Sequence, residues 1–177
     1  DTIGDLDGDG NIEIVVGEAH RNQYEGRAII LFLNNNGTVK NQVEYTNFEN
    51  TSYFRSRIGT SVAGIGDLDG DGIEDMAVGA YFDRVEGGDD WTGMVHIVFL
   101  NADGTSKSQA VIQDGTANFE DLQRFDNLGK AGLEGMGDID GDGVPDLAIA
   151  GGQRNSLFIT LMNSDGSVKS TVERTAN

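Results

Sequence analysis

Cysteine and basic residues are scarce in this chain, and each shortage excludes a class of protein or site. There is no cysteine among the 177 residues, which excludes disulfides, zinc thiolate sites and thiol catalysis. Twelve Lys and Arg residues face 30 Asp and Glu, giving a formal net charge of −18. Such an anion repels the phosphate backbone of a nucleic acid and an anionic membrane surface. The sequence also lacks the roughly 18-residue apolar run of a membrane helix, so we expect no nucleic-acid partner and no membrane insertion.

The most informative feature that is present is an acidic pattern that occurs three times. The three copies read IGDLDGDGNIEIVVG at 3–17, IGDLDGDGIEDMAVG at 65–79 and MGDIDGDGVPDLAIA at 136–150. A second marker recurs in step, as NNNGTVK at 34–40, NADGTSK at 101–107 and NSDGSVK at 163–169. In-phase recurrence of this kind is the signature of a repeat architecture. It predicts a single repeat region over 1–177, with repeat 1 at 1–48, repeat 2 at 49–119 and repeat 3 at 120–177.

Each repeat contains four segments with the pattern of β-strands. The first segments run into the acidic loop, as a stub at 1–4 and as strands at 58–66 and 129–137. The apolar second and third segments are expected at 13–17, 75–80 and 146–150, and at 28–33, 95–100 and 157–162. Asn/Asp-Gly turns then predict hairpins to a more polar fourth strand at 39–45, 108–113 and 168–174. Four antiparallel strands per repeat predict an all-β fold of three four-stranded propeller blades, with the polar fourth strand at the outer edge.

The number of blades bears on the assembly. Closed propellers use roughly 4–8 blades, so three blades predict an open arc that forms part of a larger or assembled ring. Its two bare faces are expected to be built from apolar residues such as Ile29, Leu31, Val95, Ile97, Phe158 and Leu161. We therefore expect further blades as partners, either from the same polypeptide or from another copy. The repeat phase at both termini predicts a slice of a longer array, and the alternative is a complete protein with irregular terminal repeats.

The acidic loop has the form D-x-D-G-D-G-x-x-[D/E], which suggests a metal site. In the second copy, alternate residues of a tight loop would bring Asp67, Asp69, Asp71 and Asp75 toward one cation. The glycines at the fourth and sixth positions permit the positive φ values that this winding needs. Four converging carboxylates repel one another, and a hard cation that accepts six to eight oxygens neutralises them. Flexible, all-oxygen coordination favours Ca²⁺ over Mg²⁺.

Two other calcium motifs do not fit this loop. An EF-hand requires a bidentate Glu at position 12, where these copies have Val16, Val78 and Ile149. The G-G-x-G-x-D pattern of the nonapeptide calcium repeat is also missing. An acidic turn without a metal remains the alternative, although three copies in phase argue against it. Because Glu13 replaces aspartate in the first copy, we expect that copy to bind its cation most weakly.

These residues resemble the FG-GAP repeats of integrin α-subunit β-propellers and of large bacterial surface proteins. The resemblance covers nearly the whole chain and is strongest in DLDGDGIEDMAVGA at 67–80. It implies one Ca²⁺ site per repeat, three in all, in the loop between the first two strands of each blade. It implies side-chain ligands at Asp5, Asp7, Asp9, Glu13, Asp67, Asp69, Asp71, Asp75, Asp138, Asp140, Asp142 and Asp146. Main-chain carbonyl ligands are implied at Asn11, Ile73 and Val144.

The function that this resemblance implies is a non-enzymatic, calcium-stabilised scaffold or adhesion module, extracellular or at the cell surface. A protein or glycan ligand is possible for such a module. One alternative is an accessory or catalytic propeller of a secreted enzyme acting on polysaccharide, and another is a self-assembling structural element. No catalytic residue is expected, because calcium accounts for the regularly spaced acids and His96 lies within an apolar strand. The segment 81–92, which contains the sole Trp, is either a ligand loop or a variable loop that covers a neighbouring blade.

Overall fold

The computed structural model of the chain is all-β, with eleven strands in three antiparallel sheets. It describes residues 1–21, 24–48, 56–83, 91–119, 122–123, 125–152 and 156–175. Blade one contains β1 (Ile14–Gly17), β2 (Ala28–Leu33) and β3 (Val39–Tyr45). Blade two contains β4 (Ile58–Gly66), β5 (Asp75–Ala80), β6 (Met94–Leu100) and β7 (Ser106–Gln113). Blade three contains β8 (Gly132–Gly137), β9 (Asp146–Ala150), β10 (Ser156–Met162) and β11 (Val168–Thr175).

Within each blade the strands follow one another in sequence order, each pairing antiparallel with the next. This arrangement confirms the predicted hairpins and places the polar strands β3, β7 and β11 at one edge of each sheet. Blade one differs from the prediction, because its sheet has three strands rather than four. Residues 1–4 are not a full strand of that sheet, although they pair with its first strand: Thr2 bridges Ile14, the Val15 N–H donates to the Asp1 carbonyl at 2.9 Å, and the Ile3 N–H donates to the Glu13 carbonyl at 3.0 Å.

The middle blade is covered on both faces, and the outer blades are covered on one. Every residue of β5 and β6 is buried. Buried and less buried residues alternate along β2 and along β10. One apolar core fills the space between blades one and two, where Phe32 and Met76 belong to the same cluster. A second core fills the space between blades two and three, where Ile97 and Phe158 pack. Coverage of both faces therefore holds only for blade two.

The prediction of the bare apolar faces was partly wrong. Val95, Ile97 and Phe158 are buried in the core between blades two and three. Ile29, Leu31 and Leu161 are half-buried instead. The apolar pattern of a strand does not show which of its two faces packs against the adjacent blade, and this explains the error. The three sheets are stacked and are not closed into a ring.

Both blade interfaces use the same backbone contact, which only glycine permits. A Cβ built on Gly17 of blade one would lie 1.9 Å from the carbonyl oxygen of Gly59 in blade two. At the equivalent place in the next interface, a Cβ on Gly79 would lie 2.9 Å from the carbonyl oxygen of Gly129. Distances below about 3 Å leave no room for a side chain. The repeats therefore stack with the same geometry twice.

Candidate metal centre

The three acidic loops join the first strand segment of each blade to the second. We call residues 5–13 loop one, 67–75 loop two and 138–146 loop three. Their winding depends on the first aspartate, which accepts backbone N–H groups from inside its own loop. In loop two, Asp67 Oδ1 accepts from Gly70 at 2.8 Å and from Asp71 at 3.0 Å, and Oδ2 accepts from Gly72 at 2.9 Å. Both glycines have positive φ, 78° and 90°, as the sequence predicted.

Each loop brings three carboxylates close together. One oxygen from each lies within 4.8 Å of the others in the groups Asp5, Asp7 and Glu13; Asp67, Asp69 and Asp71; and Asp138, Asp140 and Asp146. The first and third loop positions belong to every group, and the third member comes from position five or position nine. Asp9, Asp75 and Asp142 lie outside these groups. The donor set is all oxygen and strongly negative, which is the chemistry that a hard divalent cation requires.

The three residues predicted to supply main-chain carbonyl ligands also lie in the loops. Their N–H groups donate to the aspartate at the fifth position of each loop. Asn11 donates to Asp9 Oδ1 at 2.9 Å, and Ile73 donates to Asp71 Oδ1 at the same distance. Val144 donates to Asp142 in the same way. These bonds orient one oxygen of each aspartate toward the backbone. The use of the three carbonyls as ligands stays a prediction.

The ninth loop position is a buried anchor. Asp75 accepts the N–H of Leu68 at 2.9 Å through Oδ2, and the N–H of Leu100 at the end of β6 at 3.0 Å through Oδ1. Asp146 makes the equivalent bonds in loop three. Burial is the main reason that the pKa of Asp75 is raised to about 6; the two N–H donors lower this pKa, and the charges of Asp69 and Asp71 contribute to raising it. Position nine therefore ties the loop to the third strand, a role that sequence reasoning missed.

Loop one departs from this pattern because its ninth residue is Glu13. Glu13 Oε2 accepts the Leu6 N–H at 2.8 Å. Its other oxygen, Oε1, is buried without a hydrogen bond of normal geometry to any described residue. The Leu33 N–H, equivalent to that of Leu100, only weakly lowers the pKa of this carboxyl, which burial raises overall. The longer side chain thus satisfies one backbone contact well and the other poorly.

A lysine from the last strand of the same blade, β3, β7 or β11, contacts each loop. Lys107 Nζ lies 2.6 Å from Asp69 Oδ2 and 2.7 Å from Asp71 Oδ2. Lys169 makes the same two contacts in loop three, at 2.6 and 2.7 Å. Lys40 pairs with Asp7 at 2.7 Å and with Asp9. The ammonium groups lower the pKa of the fifth-position aspartates, while the paired carboxylates raise the pKa of the lysines.

Sequence reasoning missed these lysines, although a signal for them was present. Each is the last residue of the second repeated marker, which recurs in step with the acidic loop. As a sequence pattern, the marker predicts only a turn into the last strand of the blade. In each hairpin the lysine two residues after the Gly-Thr or Gly-Ser pair contacts the acidic loop of its own blade. The equal spacing of this lysine in all three repeats was therefore a signal for a contact with the loop.

Two other features singled out from the sequence lie away from the loops. His96 is fully buried, with its ring centroid 5.0 Å from that of Phe48, in agreement with a packing role. In the 81–92 segment, residues 84–90 lie outside the described part of the chain. Trp91 stacks on Phe82 at 4.6 Å between ring centroids, and its carbonyl accepts the N–H of Phe125. The described end of the segment therefore contacts the connection to blade three.

Comparison with known proteins gives two kinds of match. The model of the FG-GAP-like repeat family matches residues 5–78. The chain is 30% identical over 157 residues to integrin alpha-3 of Cricetulus griseus, and 29% identical over 147 residues to integrin alpha-4 of Xenopus laevis. It is 26% identical over 162 residues to integrin alpha-PS2 of Drosophila melanogaster. These matches cover 82–88% of this chain and only 11–13% of the relatives' length.

Proposed function

This chain carries FG-GAP-like repeats, and from that premise we propose that it is a calcium-stabilised, non-enzymatic β-propeller module with a scaffold or adhesion role. The proposed location is extracellular or at the cell surface, as the resemblance to integrin α-subunits implies. Among the described residues no helix has the length and apolar character to cross a membrane. The module would act by presenting loops from a rigid stack of blades, because loops on a rigid scaffold commonly carry binding function.

The observation that carries the calcium proposal is the repetition of one local geometry. Three loops in equivalent places each bring three carboxylate oxygens within 4.8 Å of one another. Acidic groups this close destabilise the fold unless a cation neutralises them. Asp5, Asp67 and Asp138 begin loops that their own backbone N–H groups pre-organise, so little ordering is needed when a cation binds. We propose one Ca²⁺ per loop.

Removal of calcium tests this proposal. If extracellular-type sites bind with a Kd of ~10⁻⁴ M, free Ca²⁺ at 100 times that value adds ~2.7 kcal/mol per occupied site to the free energy of unfolding. Thermal melting should therefore move to lower temperature in EGTA and recover with Ca²⁺ more fully than with Mg²⁺. Calorimetric titration should count three sites. A melting temperature that EGTA leaves unchanged would contradict the proposal.

Further blades are the partners that the stacking geometry supports. The side chain at the eighth loop position lies against a glycine of the preceding blade, as Glu74 does at Gly4 and Pro145 at Gly66. Gly137 is the equivalent glycine of blade three, and no described residue lies within 4 Å of a Cβ built there. The empty space matches the position that a following loop would occupy.

The other end of the stack has an equivalent open position. The hairpin glycine of blade two, Gly104, lies against Phe32 of blade one, and Gly166 of blade three lies against Phe99 of blade two. Gly37 is the equivalent hairpin glycine of blade one, and the described residues leave the space around it open. We propose that blades of the same kind cover both ends, from the same polypeptide or from another copy.

Light scattering of the 177-residue chain tests this second proposal. Exposed apolar faces favour association, so the chain should be oligomeric or should melt without cooperativity when alone. A monodisperse monomer that melts cooperatively in calcium would contradict it. The adhesion role is tested separately, by solid-phase binding to matrix proteins and glycans with and without EGTA, beside an assay for glycan cleavage. Cleavage without stable binding would favour the enzyme alternative.

A further inference from the structure

The six carboxylate oxygens of Asp67, Asp69 and Asp71 in loop two fall into two groups with different partners. Both oxygens of Asp67 accept backbone N–H groups. Asp69 Oδ1 accepts the Asp71 N–H at 3.2 Å, and Asp71 Oδ1 accepts the Ile73 N–H at 2.9 Å. The two remaining oxygens, Asp69 Oδ2 and Asp71 Oδ2, receive no backbone donor among the described residues, and both contact Lys107 Nζ. The oxygens most available to a cation are therefore the two that the ammonium already contacts.

The same partition occurs in loop three. Asp140 Oδ1 and Asp142 Oδ1 accept backbone N–H groups, while both Oδ2 atoms contact Lys169 Nζ. In loop one Lys40 contacts the Oδ2 atoms of Asp7 and Asp9. The same contact occurs in all three blades and is made each time from the last strand of the blade, which argues that the lysine is a regular part of the loop structure. A single chance ion pair on a surface this acidic would not recur in phase.

We propose that Lys40, Lys107 and Lys169 are built-in counter-ions that compete with the divalent cation for the third and fifth carboxylates of each loop. Without metal, the ammonium reduces the repulsion among the acids and keeps the loop wound. When a cation enters, it takes the oxygens that the ammonium contacts, and the lysine side chain moves into solvent. The part of this inference that concerns the metal rests on the calcium proposal above.

Lys107 and Lys169 are suited to this exchange because their side chains are exposed, whereas the Lys40 side chain is 24% exposed. The Lys107 side chain is 42% exposed, against 20% for Asp69. An ammonium on a long, solvated side chain can leave without opening a cavity, and exposed ion pairs are weak. A buried arginine with a bidentate carboxylate contact would resist displacement far more strongly. The lysine therefore lowers the affinity of the loop for the cation only modestly, and it stabilises the loop when no metal is bound.

Lys107→Met tests the inference, because methionine keeps an unbranched apolar stem and removes the charge. Lys130→Met is the matched control, since it removes one charge from a lysine whose Nζ lies over the Tyr81 ring. In an NMR titration with CaCl₂, the amide signals of Gly70 and Gly72 report loop two, and those of Gly141 and Gly143 report loop three. Loop two should bind calcium about two- to fivefold more tightly in Lys107→Met than in Lys130→Met, while loop three binds equally in both.

Several outcomes separate this inference from the calcium proposal. Equal or weaker binding by loop two of Lys107→Met would overturn the competition, whereas an absence of calcium shifts in wild type and both variants would overturn the calcium proposal. Metal-free stability gives a second readout that needs no calcium site. Melting of Lys107→Met in EGTA should occur below that of wild type, and the difference should shrink in saturating CaCl₂. A difference of the same size in EGTA and in calcium would show that Lys107 only packs against the loop.

Discussion

Gly17 of blade one lies against the carbonyl group of Gly59 in blade two, at a distance that excludes any side chain. A Cβ on Gly17 would be 1.9 Å from the Gly59 oxygen and 2.7 Å from its carbonyl carbon. Gly59 itself has a φ of 78°, a conformation that glycine adopts at little cost. The contact joins β1 to β4 through backbone atoms, so neither partner can move without shifting a strand.

We expect Gly17→Ala to lower the free energy of unfolding by about 1–3 kcal/mol, since the added methyl forces the two blades apart. Gly132→Ala is the matched control. A Cβ at Gly132 meets no atom within 4 Å, and alanine there should be neutral or stabilising by up to about 1 kcal/mol, because it restricts the unfolded chain. Urea denaturation of both variants checks the prediction. Equal effects of the two substitutions would show that blade contact at Gly17 does not limit stability.

Exchange of the ninth loop residue between blades should have opposite effects in the two directions. Glu13→Asp should stabilise the metal-free protein by about 1 kcal/mol, because the shorter side chain can give both oxygens to the backbone as Asp146 does. Asp146→Glu should destabilise it by a similar amount, since it reproduces the poorly bonded Oε1 of Glu13. Chemical denaturation in EGTA measures both. Loss of stability in Glu13→Asp would mean that the cavity left by the lost methylene outweighs the gained bond.

His96 should make stability depend on pH. It is fully buried, and neither ring nitrogen has a hydrogen-bond partner among the described residues. Burial lowers the pKa of His96 to about 4 from an ordinary 6.5. The unfolded state therefore takes up the proton first as the pH falls, so stability present above pH 6.5 is lost progressively down to about pH 4. The loss over this range is about 3 kcal/mol.

His96→Leu should remove that loss and should also raise stability near pH 7 by about 1–3 kcal/mol, because no buried donor is left unsatisfied. Unfolding free energies of wild type and variant, measured in parallel from pH 7.5 to pH 4, give the comparison. The carboxylates titrate in both proteins, so their contribution largely cancels in the difference. A constant difference across this range would show that His96 is not protonated on unfolding.

Tyr45 should contribute to the interface between blades one and two through its hydroxyl group. Its side chain is buried, and its hydroxyl donates to the carbonyl of Gly104 in the hairpin of blade two. Tyr45→Phe keeps the ring and leaves that carbonyl without its donor, so unfolding should become easier by about 1 kcal/mol. Tyr24→Phe serves as control, because Tyr24 is 41% exposed and should change stability little. Thermal melting of both variants in saturating CaCl₂ tests this prediction, and equal melting temperatures would contradict it.

Local features of this molecule could be predicted from the sequence because they depend on neighbouring residues. The second strands of blades two and three begin and end where the apolar pattern predicted them, at Asp75–Ala80 and Asp146–Ala150. Hairpin and loop glycines such as Gly37, Gly70 and Gly72 have the positive φ that their turn and loop patterns required. The clustered carboxylates of the acidic loop could be predicted because acids at every second residue, with glycines between them, leave the loop few possible conformations.

Tertiary structure alone decided which of these groups meet. Phe158 and Leu161 are apolar residues of the same strand, and the sequence does not distinguish them. Only Phe158 faces blade two and is buried. Spacing predicted that Asp75 is a metal ligand, and that role stays a prediction; only the fold shows that Asp75 is buried and accepts two backbone N–H groups. Lys107 lies 36 residues from Asp71 in the chain, and only the pairing of β6 with β7 brings it to the loop. Such contacts depend on strand register and blade stacking, which bring together residues that no local pattern connects.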